Sequence, residues 1–387
     1  MTERHNRAKT KSWTAALSIA LVTGWSTPAT IVGMQVQVID SEPTCAECRI
    51  VLTPVVSLGD SVGPGVIGGL STIAQLQDGR YVLSYHQLDD ELLVFSRDGR
   101  YLQSVGRRGR GPGEFEFIHW VRAQGDKIYV FDPHLRRQTV YSLDFHVIRT
   151  SPFEGEALAD VEVVDDSTVV MNARIWSRER AGFLLHAFDR AGNVRVSFDE
   201  DSAGMQYDVP VEVYLRRLAK SSSGGIWSSH WTRYRIDEWS LDGTLQRSIL
   251  RKAEWFPEHR GDGAGILDPR TPPRPRLKHV RESDGGRLWT FTTVAAHDWA
   301  RALVPADRSD HPEAGKYTIG DLNRAYDTIV EVLDLRTGTV LVTTRLDQYF
   351  VGYLDDQVVS SSQAPDGTWR LHIWRVSLYE PQQRRTR

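Results

Sequence analysis

Two histidines in the chain lie at positions that suit chemistry. His119 lies six residues before Gly125 and His279 lies six residues before Gly285, and both glycines stand in turns between short apolar runs. A neutral imidazole is a common metal ligand and titrates near physiological pH. Two imidazoles that faced one another could hold a divalent metal or, with a neighbouring cation, an anion.

Short strands joined by tight turns must position these histidines. Asp78-Gly79, Asp98-Gly99 and Asp242-Gly243 indicate turns, because Asp-Gly supplies the positive φ angles that a two-residue hairpin needs. Apolar and polar residues alternate around Asp98-Gly99 with the period of a half-buried strand. The sequence therefore predicts a succession of antiparallel hairpins.

Outer hairpins of this kind recur at a regular interval. They begin at Phe95, Tyr141, Phe188 and Trp239, which are spaced 46, 47 and 51 residues apart. A period in the forties is typical of the four-stranded blades of a β-propeller. The next outer hairpin begins at Leu333, 94 residues after Trp239. We interpret the doubled interval as one blade, the fifth, with an insertion over about residues 295–326; a seventh blade is the alternative.

The two ends of the chain complete the count of blades. Three strands are predicted near the C-terminus, over Tyr349–Leu354, Gln357–Ser362 and Trp369–Val376, and one unpartnered strand over Arg49–Leu58. If that N-terminal strand becomes the outer strand of the last blade, no long sheet edge is left unpaired. We therefore predict an all-β, six-bladed β-propeller of four-stranded antiparallel blades over residues 49–379, followed by a tail over residues 380–387.

One stretch, Val94–Asp132, resembles an NHL-type propeller repeat. The resemblance consists of a glycine-rich Gly-Pro-Gly-x-Phe corner, an apolar strand that ends in Asp, and a third strand led by Arg. These features are Gly106, Gly109, Gly111, Pro112, Gly113 and Phe115, then Ile128–Asp132, and then Arg136, Arg137, Val140 and Tyr141. The resemblance implies a propeller fold and a binding role, and it names no reaction.

In a six-bladed ring, each innermost strand places one residue at a given height in the channel. Counting back six from each inner turn selects Thr72, His119, Ala159, Arg217, His279 and Tyr349. Blades two and five stand opposite one another, so His119 and His279 would face each other with Arg217 nearby. Propeller channels and their mouths are usual ligand sites.

His119, Arg217, His279 and Tyr349 are therefore candidate ligand-binding residues, and His119 and His279 are candidate metal ligands. A structural role stays open, in which the imidazoles satisfy water and backbone groups. The insertion adds Trp299 as a further candidate, because long loops in compact domains tend to be functional or disordered. An insertion that only covers a blade edge is the alternative.

Familiar catalytic motifs are missing from the sequence. It contains no Gly-x-Ser-x-Gly turn, no His-Glu-x-x-His helix and no phosphate-binding loop. The glycine-rich segment Gly106–Gly113 precedes a strand, so it lacks the helix N-terminus that binds phosphate. Its arginines, Arg107, Arg108 and Arg110, could still meet an acidic partner. A zinc site like that of propeller amidating lyases requires several histidines in the channel, and only two histidines fall at the aligned channel positions here.

The first 29 residues predict export. Four basic residues between Arg4 and Lys11 precede an apolar run over Trp13–Trp25, and small residues follow over Ser26–Thr30. This is the order of a secretory signal peptide, and the run is shorter than the about 20 residues of a membrane-spanning helix. A disordered basic tail is the alternative. We expect a periplasmic, cell-surface or secreted protein that contacts a membrane only through an uncleaved leader.

The two cysteines, Cys45 and Cys48, lie in a predicted linker over residues 30–48. In an exported chain this spacing predicts a small disulfide loop. Free thiols, a redox role and a metal role are the alternatives, although two ligands cannot close a zinc site.

The composition of the chain limits the classes of partner that it could bind. The chain of 387 residues carries 47 basic and 50 acidic residues, a net charge of −3, so no dominant basic face selects nucleic acid. Our leading hypothesis is a monomeric, exported, non-catalytic scaffold without a cofactor that binds a protein, peptide or glycan on one face of the ring. The alternative is a metal-assisted lyase or hydrolase at the channel mouth, with a divalent metal in the channel near His119, His279 and Arg217.

Overall fold

The computed structural model describes residues 35–70, 72–85, 88–201, 205–206, 208–261, 267–305 and 317–381. The predicted leader over residues 1–29, the last six residues of the tail and the middle of the insertion lie outside this part of the chain. No helix in the described residues is long and apolar enough to cross a membrane.

Six four-stranded antiparallel sheets form the ring, preceded in the chain by β1 (Gln35–Ile39) and β2 (Arg49–Leu58). Blade one contains β3 (Thr72–Gln75), β4 (Tyr81–Tyr85), β5 (Leu88–Phe95) and β6 (Tyr101–Gly106). Blade two contains β7 (Trp120–Gln124), β8 (Lys127–Asp132), β9 (Arg137–Ser142) and β10 (Val147–Pro152). Blade three contains β11 (Glu156–Val163), β12 (Thr168–Arg174), β13 (Phe183–Asp189) and β14 (Val194–Glu200).

Blade four contains β15 (Arg216–Lys220), β16 (Ile226–His230), β17 (Arg235–Trp239) and β18 (Leu245–Arg251). Its inner strand is preceded by a 3₁₀ turn over Val211–Tyr214. That turn follows Pro210, whose φ is −54°. Proline fixes φ near this value and suits the first turn of a helix better than a paired strand.

Blade five carries the insertion. It begins with β19 (Arg276–Ser283) and β20 (Arg287–Ala295). The insertion then contains a 3₁₀ turn (Trp299–Ala302), β21 (Leu303–Pro305), β22 (Tyr317–Ile319) and the short helix α1 (Leu322–Ala325). The blade resumes with β23 (Tyr326–Asp334) and β24 (Thr339–Leu346). Since β20 pairs directly with β23, the insertion leaves the blade at one rim and returns to it.

Blade six closes the ring as the sequence predicts. It contains β25 (Phe350–Tyr353), β26 (Gln357–Gln363) and β27 (Trp369–Tyr379), and β2 is its outer strand. The pairing of β2 with β27 runs antiparallel from Arg49 opposite Tyr379 to Leu58 opposite Leu371. The prediction of six blades closed by an N-terminal strand is therefore confirmed.

The N-terminal segment contributes one strand within the predicted linker over residues 30–48. β1 lies parallel to β18 and adds a fifth strand to blade four, with Val38 opposite Leu250. Ile39, at the end of β1, is buried against the apolar core between blades four and five. The disulfide between Cys45 and Cys48 follows, and the Cys45 N–H donates to the Leu341 carbonyl of blade five at 3.1 Å.

Each pair of neighbouring blades shares one apolar core. Blades six and one, which close the ring, meet through Leu371, Ile373, Leu83 and Phe95 in the same way as the pairs within the chain. Outer turns approach the preceding blade closely, so Gly192, at φ +87°, lies where a Cβ would overlap the Pro152 carbonyl oxygen of blade two. Burial of these six cores is the main source of the stability of the ring.

Candidate functional site

The central cavity is enclosed by the inner strands of all six blades, and its volume is about 860 Å³. The inner strands β3, β7, β11, β15, β19 and β25 run in the same sense along it. We call the end where they begin the strand-start end, and the end where they turn back the hairpin end. Ligand cavities in proteins commonly measure roughly 300–1,000 Å³, so a small molecule or a segment of a larger ligand would fit.

All six channel positions chosen from the sequence line this cavity, namely Thr72, His119, Ala159, Arg217, His279 and Tyr349. The two histidines are nevertheless offset along their strands. The last inner-strand pairs are Gln124–Lys127 in blade two and Ser283–Arg287 in blade five. His119 therefore lies five residues before its last paired residue, and His279 lies four residues before its own.

Aromatic rings hold both imidazoles. His279 stacks on Tyr353 of blade six, with ring centroids 4.7 Å apart and an interplanar angle of 17°. Burial, helped by the nearby Arg281 guanidinium, lowers the pKa of His279 to about 3 against a weaker opposing effect of Asp160. His119 packs beside Trp120, with centroids 4.0 Å apart. His279 is therefore neutral at physiological pH.

No group of three or more His, Cys, Asp or Glu side chains in the described residues is arranged to hold a metal ion. A site built from His119 and His279 with water or ligand atoms stays a prediction. The neutral state of His279 leaves a lone pair that such a site would use.

Tyr349 and Trp299 lie on the side of the insertion. Tyr349 precedes β25 and packs against Tyr326, with ring centroids 5.5 Å apart, within a small apolar cluster that includes Ala302 and Ala325 of the insertion. Trp299 is only 9 % exposed and is not among the described residues that line the cavity. The insertion thus borders the strand-start end of the cavity through Tyr349, while Trp299 is buried and does not line the cavity.

The hairpin end is lined by paired charges. Arg122 of blade two donates to Asp160 of blade three at 2.5 Å, and Asp160 also accepts the Leu218 N–H of blade four at 3.0 Å. Lys220 donates to Gln124 across the cavity and lies 4.0 Å from Glu162. Burial raises the pKa of the Glu162 carboxyl to about 7, with Arg122 and Lys220 opposing the rise.

The strand-start end is lined by Lys278 and Trp231, and Arg217 lies nearby. Lys278 and Trp231 face the cavity there, and the Lys278 ammonium lies 4.7 Å from the centroid of the Trp231 ring. Arg217 faces the cavity between the two ends, three residues before the last paired residue of β15, as Asp160 is in β11. Lys278 and Trp231 were not predicted. Lys278 is the neighbour of His279, and the register error of one residue in blade five hid it.

Comparisons with known proteins agree with this architecture. Residues 65–204 match the DUF5128 family, described as a 6-bladed beta-propeller, which is a little over a third of the chain. No curated protein matches the sequence.

Two solved structures from Bacteroides share the fold. A candidate exported protein of Bacteroides fragilis superposes with a TM-score of 0.55 at 11% identity, covering 89% of this chain and 100% of that one. A member of the duf4221 family from Bacteroides vulgatus superposes with a TM-score of 0.59 at 10% identity, covering 86% and 99%. Identities this low show the fold alone. The chain is accordingly a six-bladed β-propeller, and its function must be argued from its own cavity.

Proposed function

We propose that the chain is an exported, non-catalytic binding protein whose ligand, a peptide, a glycan or a projecting part of a protein, enters the central cavity from the strand-start end. The observation that carries the proposal is the cavity of about 860 Å³, into which cationic, aromatic and hydrogen-bonding side chains converge from several blades. Such convergence in the largest concavity is the usual mark of a ligand site.

The difference between the two ends of the cavity supports entry from the strand-start end. Side chains from different blades are tied together at the hairpin end, as in the contacts of Arg122 with Asp160 and of Lys220 with Gln124. At the opposite end the insertion borders the cavity through Tyr349 and Tyr326. Loops at the mouth of a rigid ring commonly supply specificity.

Export is supported by two independent features. The N-terminal sequence has the order of a secretory signal peptide, and the chain resembles the Bacteroides fragilis protein that is described as a candidate exported protein. We also assign the Val94–Asp132 repeat to the NHL type, from its glycine-rich corner and the strands that follow it.

A pair of matched substitutions tests the proposal. Leu158 lines the cavity and is half-buried, whereas Leu102 is 50% exposed on an outer strand. Arrays of defined peptides and glycans would be probed with the labelled full chain, with Leu158→Trp and with Leu102→Trp. We expect ligands that bind the unmodified chain and Leu102→Trp and that bind Leu158→Trp more weakly, because the larger indole ring takes up space on the cavity wall. Binding to Leu158→Trp that is as strong as binding to Leu102→Trp would overturn the proposal.

A further inference from the structure

Cationic groups surround one tryptophan ring at the strand-start end. The centroid of the Trp231 ring lies 4.7 Å from the Lys278 ammonium, 5.3 Å from the Arg217 guanidinium carbon and 5.6 Å from that of Arg276. Contacts of this length between a cation and an indole are attractive. Gathering these positive charges in one place costs electrostatic free energy. The attraction of the Trp231 ring offsets part of that cost.

The backbone fixes Trp231 at the junction of two blades. Its N–H donates to the Leu215 carbonyl of blade four at 3.3 Å, and its carbonyl accepts the Leu277 N–H of blade five at 3.1 Å. Both partners adjoin an inner strand, so the indole is placed where β15 and β19 begin. The position of the ring is set by the fold of both blades and not by a loose loop.

An irregularity in β19 delivers Lys278 to this ring. Leu277 pairs with Thr292, but His279 pairs with Phe291, so Lys278 is one extra residue on its strand. A β-bulge of this kind re-aims the side chain of the bulged strand and is frequent beside functional sites. The inner strand of blade four, which carries Arg217, pairs without interruption from Arg216 to Lys220.

Three residues that line the cavity, Arg217, Trp231 and Tyr353, carry hydrogen-bond donors without protein partners among the described residues, and Tyr353 stacks on His279, the residue after Lys278. The buried Arg217 Nε, Trp231 Nε1 and Tyr353 Oη atoms have no hydrogen-bond partner in the described structure, although Arg217 Nη1 donates to the Ala159 carbonyl at 2.8 Å. A buried polar group without a partner costs free energy that a ligand atom can recover. All three atoms can donate, so the ligand group that satisfies them is an acceptor.

The charges point to an anion. Neither Arg217 nor Lys278 forms an ion pair with a carboxylate among the described residues, although Arg122, Lys220 and Arg281 further along the cavity have acidic residues near them. An anion bound among these cations would offset their mutual repulsion.

We propose that Arg217, Lys278, Trp231 and Tyr353 form a subsite for the carboxylate of a ligand bound in the cavity. The inference rests on the proposed binding function and names the chemical group that the cavity selects. A guanidinium presents paired donors that match the two oxygens of a carboxylate, and the tryptophan and tyrosine rings provide an apolar wall for the carbon to which that carboxylate is attached.

Calorimetric titration of the full chain with benzoate and with benzamide, its uncharged analogue of nearly the same shape, tests the subsite. We expect benzoate to bind about tenfold or more tightly than benzamide, since hydrogen bonds to a charged group are markedly stronger than neutral ones. Lys278→Met and Arg217→Gln should each weaken benzoate binding about tenfold. The exposed residues Lys252 and Arg100 provide the controls Lys252→Met and Arg100→Gln, which should bind benzoate as the unmodified chain does.

Equal affinity for benzoate and benzamide would overturn the carboxylate subsite.

Two further arms separate the sources of failure. Inorganic phosphate that binds where benzoate does not would overturn the carboxylate assignment in favour of a tetrahedral oxyanion. Benzoate binding that is weakened in Leu158→Trp but unchanged in both Lys278→Met and Arg217→Gln would leave the cavity as the ligand site and refute only the subsite. Benzoate binding that is unchanged in all three variants would refute the subsite, and peptide or glycan binding that is as strong in Leu158→Trp as in Leu102→Trp would refute the proposed function.

Discussion

The two ends of the cavity differ in how their charges are satisfied. At the hairpin end, Asp160 accepts hydrogen bonds from Arg122 at 2.5 Å and from the Leu218 N–H at 3.0 Å, and so links three blades. At the strand-start end, Arg217 and Lys278 gather at Trp231 and form no ion pair with a carboxylate in the described chain. The charged side chains at the hairpin end therefore link neighbouring blades. Those at the strand-start end leave hydrogen-bond donors and positive charge without an acidic partner among the described residues.

This difference indicates that the charges at the hairpin end stabilise the fold, whereas the charges at the strand-start end are available to bind a ligand. Breaking a buried ion pair leaves an uncompensated charge and is strongly destabilising. Removing a half-buried cation that has no carboxylate partner removes a cost instead. Loss of Asp160 and loss of Lys278 should therefore change the free energy of unfolding in opposite directions.

The largest effect is expected at Asp160. Asp160→Ala removes the acceptor for Arg122 and for the Leu218 N–H, and Asp160 is only 5% exposed. We expect the free energy of unfolding to fall by about 3 kcal/mol, measured by denaturant titration. Asp98, whose partner Arg100 is exposed on an outer turn, is the control, and Asp98→Ala should leave stability unchanged. A loss at Asp160 no larger than at Asp98 would contradict the role of the hairpin end as a tie.

Glu162 should make stability depend on pH. Burial raises the pKa of its carboxyl from 4.5 to about 7, so between these values the folded chain keeps a proton that the unfolded chain releases. The contribution is fully present below pH 4.5 and is lost as the pH rises to about 7.

Glu162→Gln removes this loss, because the amide never ionises. We expect the variant to be more stable than the unmodified chain by about 2 kcal/mol above neutral pH, with the difference vanishing in acid. Denaturant titrations of both chains across this pH range measure it. A difference that is constant with pH would show that the Glu162 carboxyl titrates normally.

The architecture was readable from the sequence because turns and strand period are local properties. The Asp-Gly turns and the interval between outer hairpins place six blades correctly, and the same count brings residues such as His119, Arg217 and Tyr349 to the cavity wall. β1 was missed although Gln35 to Val38 alternate in the manner of a strand, because its partner β18 lies more than 200 residues away.

The chemistry at the strand-start end was not readable in the same way. The bulge at Lys278 adds one residue to β19 without a local signal. The inner turn of blade five is one residue longer than that of blade two, and this difference shifts the register on which the pairing of His119 with His279 was predicted. Trp231 gains its position from backbone contacts with Leu215 and Leu277, which depend on how blades four and five pack together. Sequence patterns identify the residues that line a channel. They are less able to identify which of those residues contact one another in it.

A smaller effect, opposite in sign to the effect at Asp160, is expected at Lys278. Its folded pKa is held below 10.5 by burial and by Arg217 and Arg276, so the folded chain binds fewer protons than the unfolded chain and stability rises as the pH approaches 10.5. Lys278→Met should raise the free energy of unfolding by about 1 kcal/mol at neutral pH, and the gain should fade toward alkaline pH. Lys252→Met, at an exposed lysine, should show no such trend. A loss of stability in Lys278→Met would mean that the ammonium has a structural partner.

The smallest effect is expected at His119, where the binding and the metal-assisted hypotheses part. If the cavity binds its ligand through the strand-start cations, His119 acts mainly through its packing beside Trp120 and Phe117. Elemental analysis of the purified full chain and of His119→Ala should then give the same metal content, well below one ion per chain. The alternative hypothesis requires one divalent ion per chain that disappears in the variant, since two imidazoles would then be the only His ligands and loss of one weakens such a site severely. That result would move the chemistry of the cavity from Lys278 and Arg217 to the two histidines, and it would make the neutral His279, whose pKa is about 3, a ligand that stays bound far into acid.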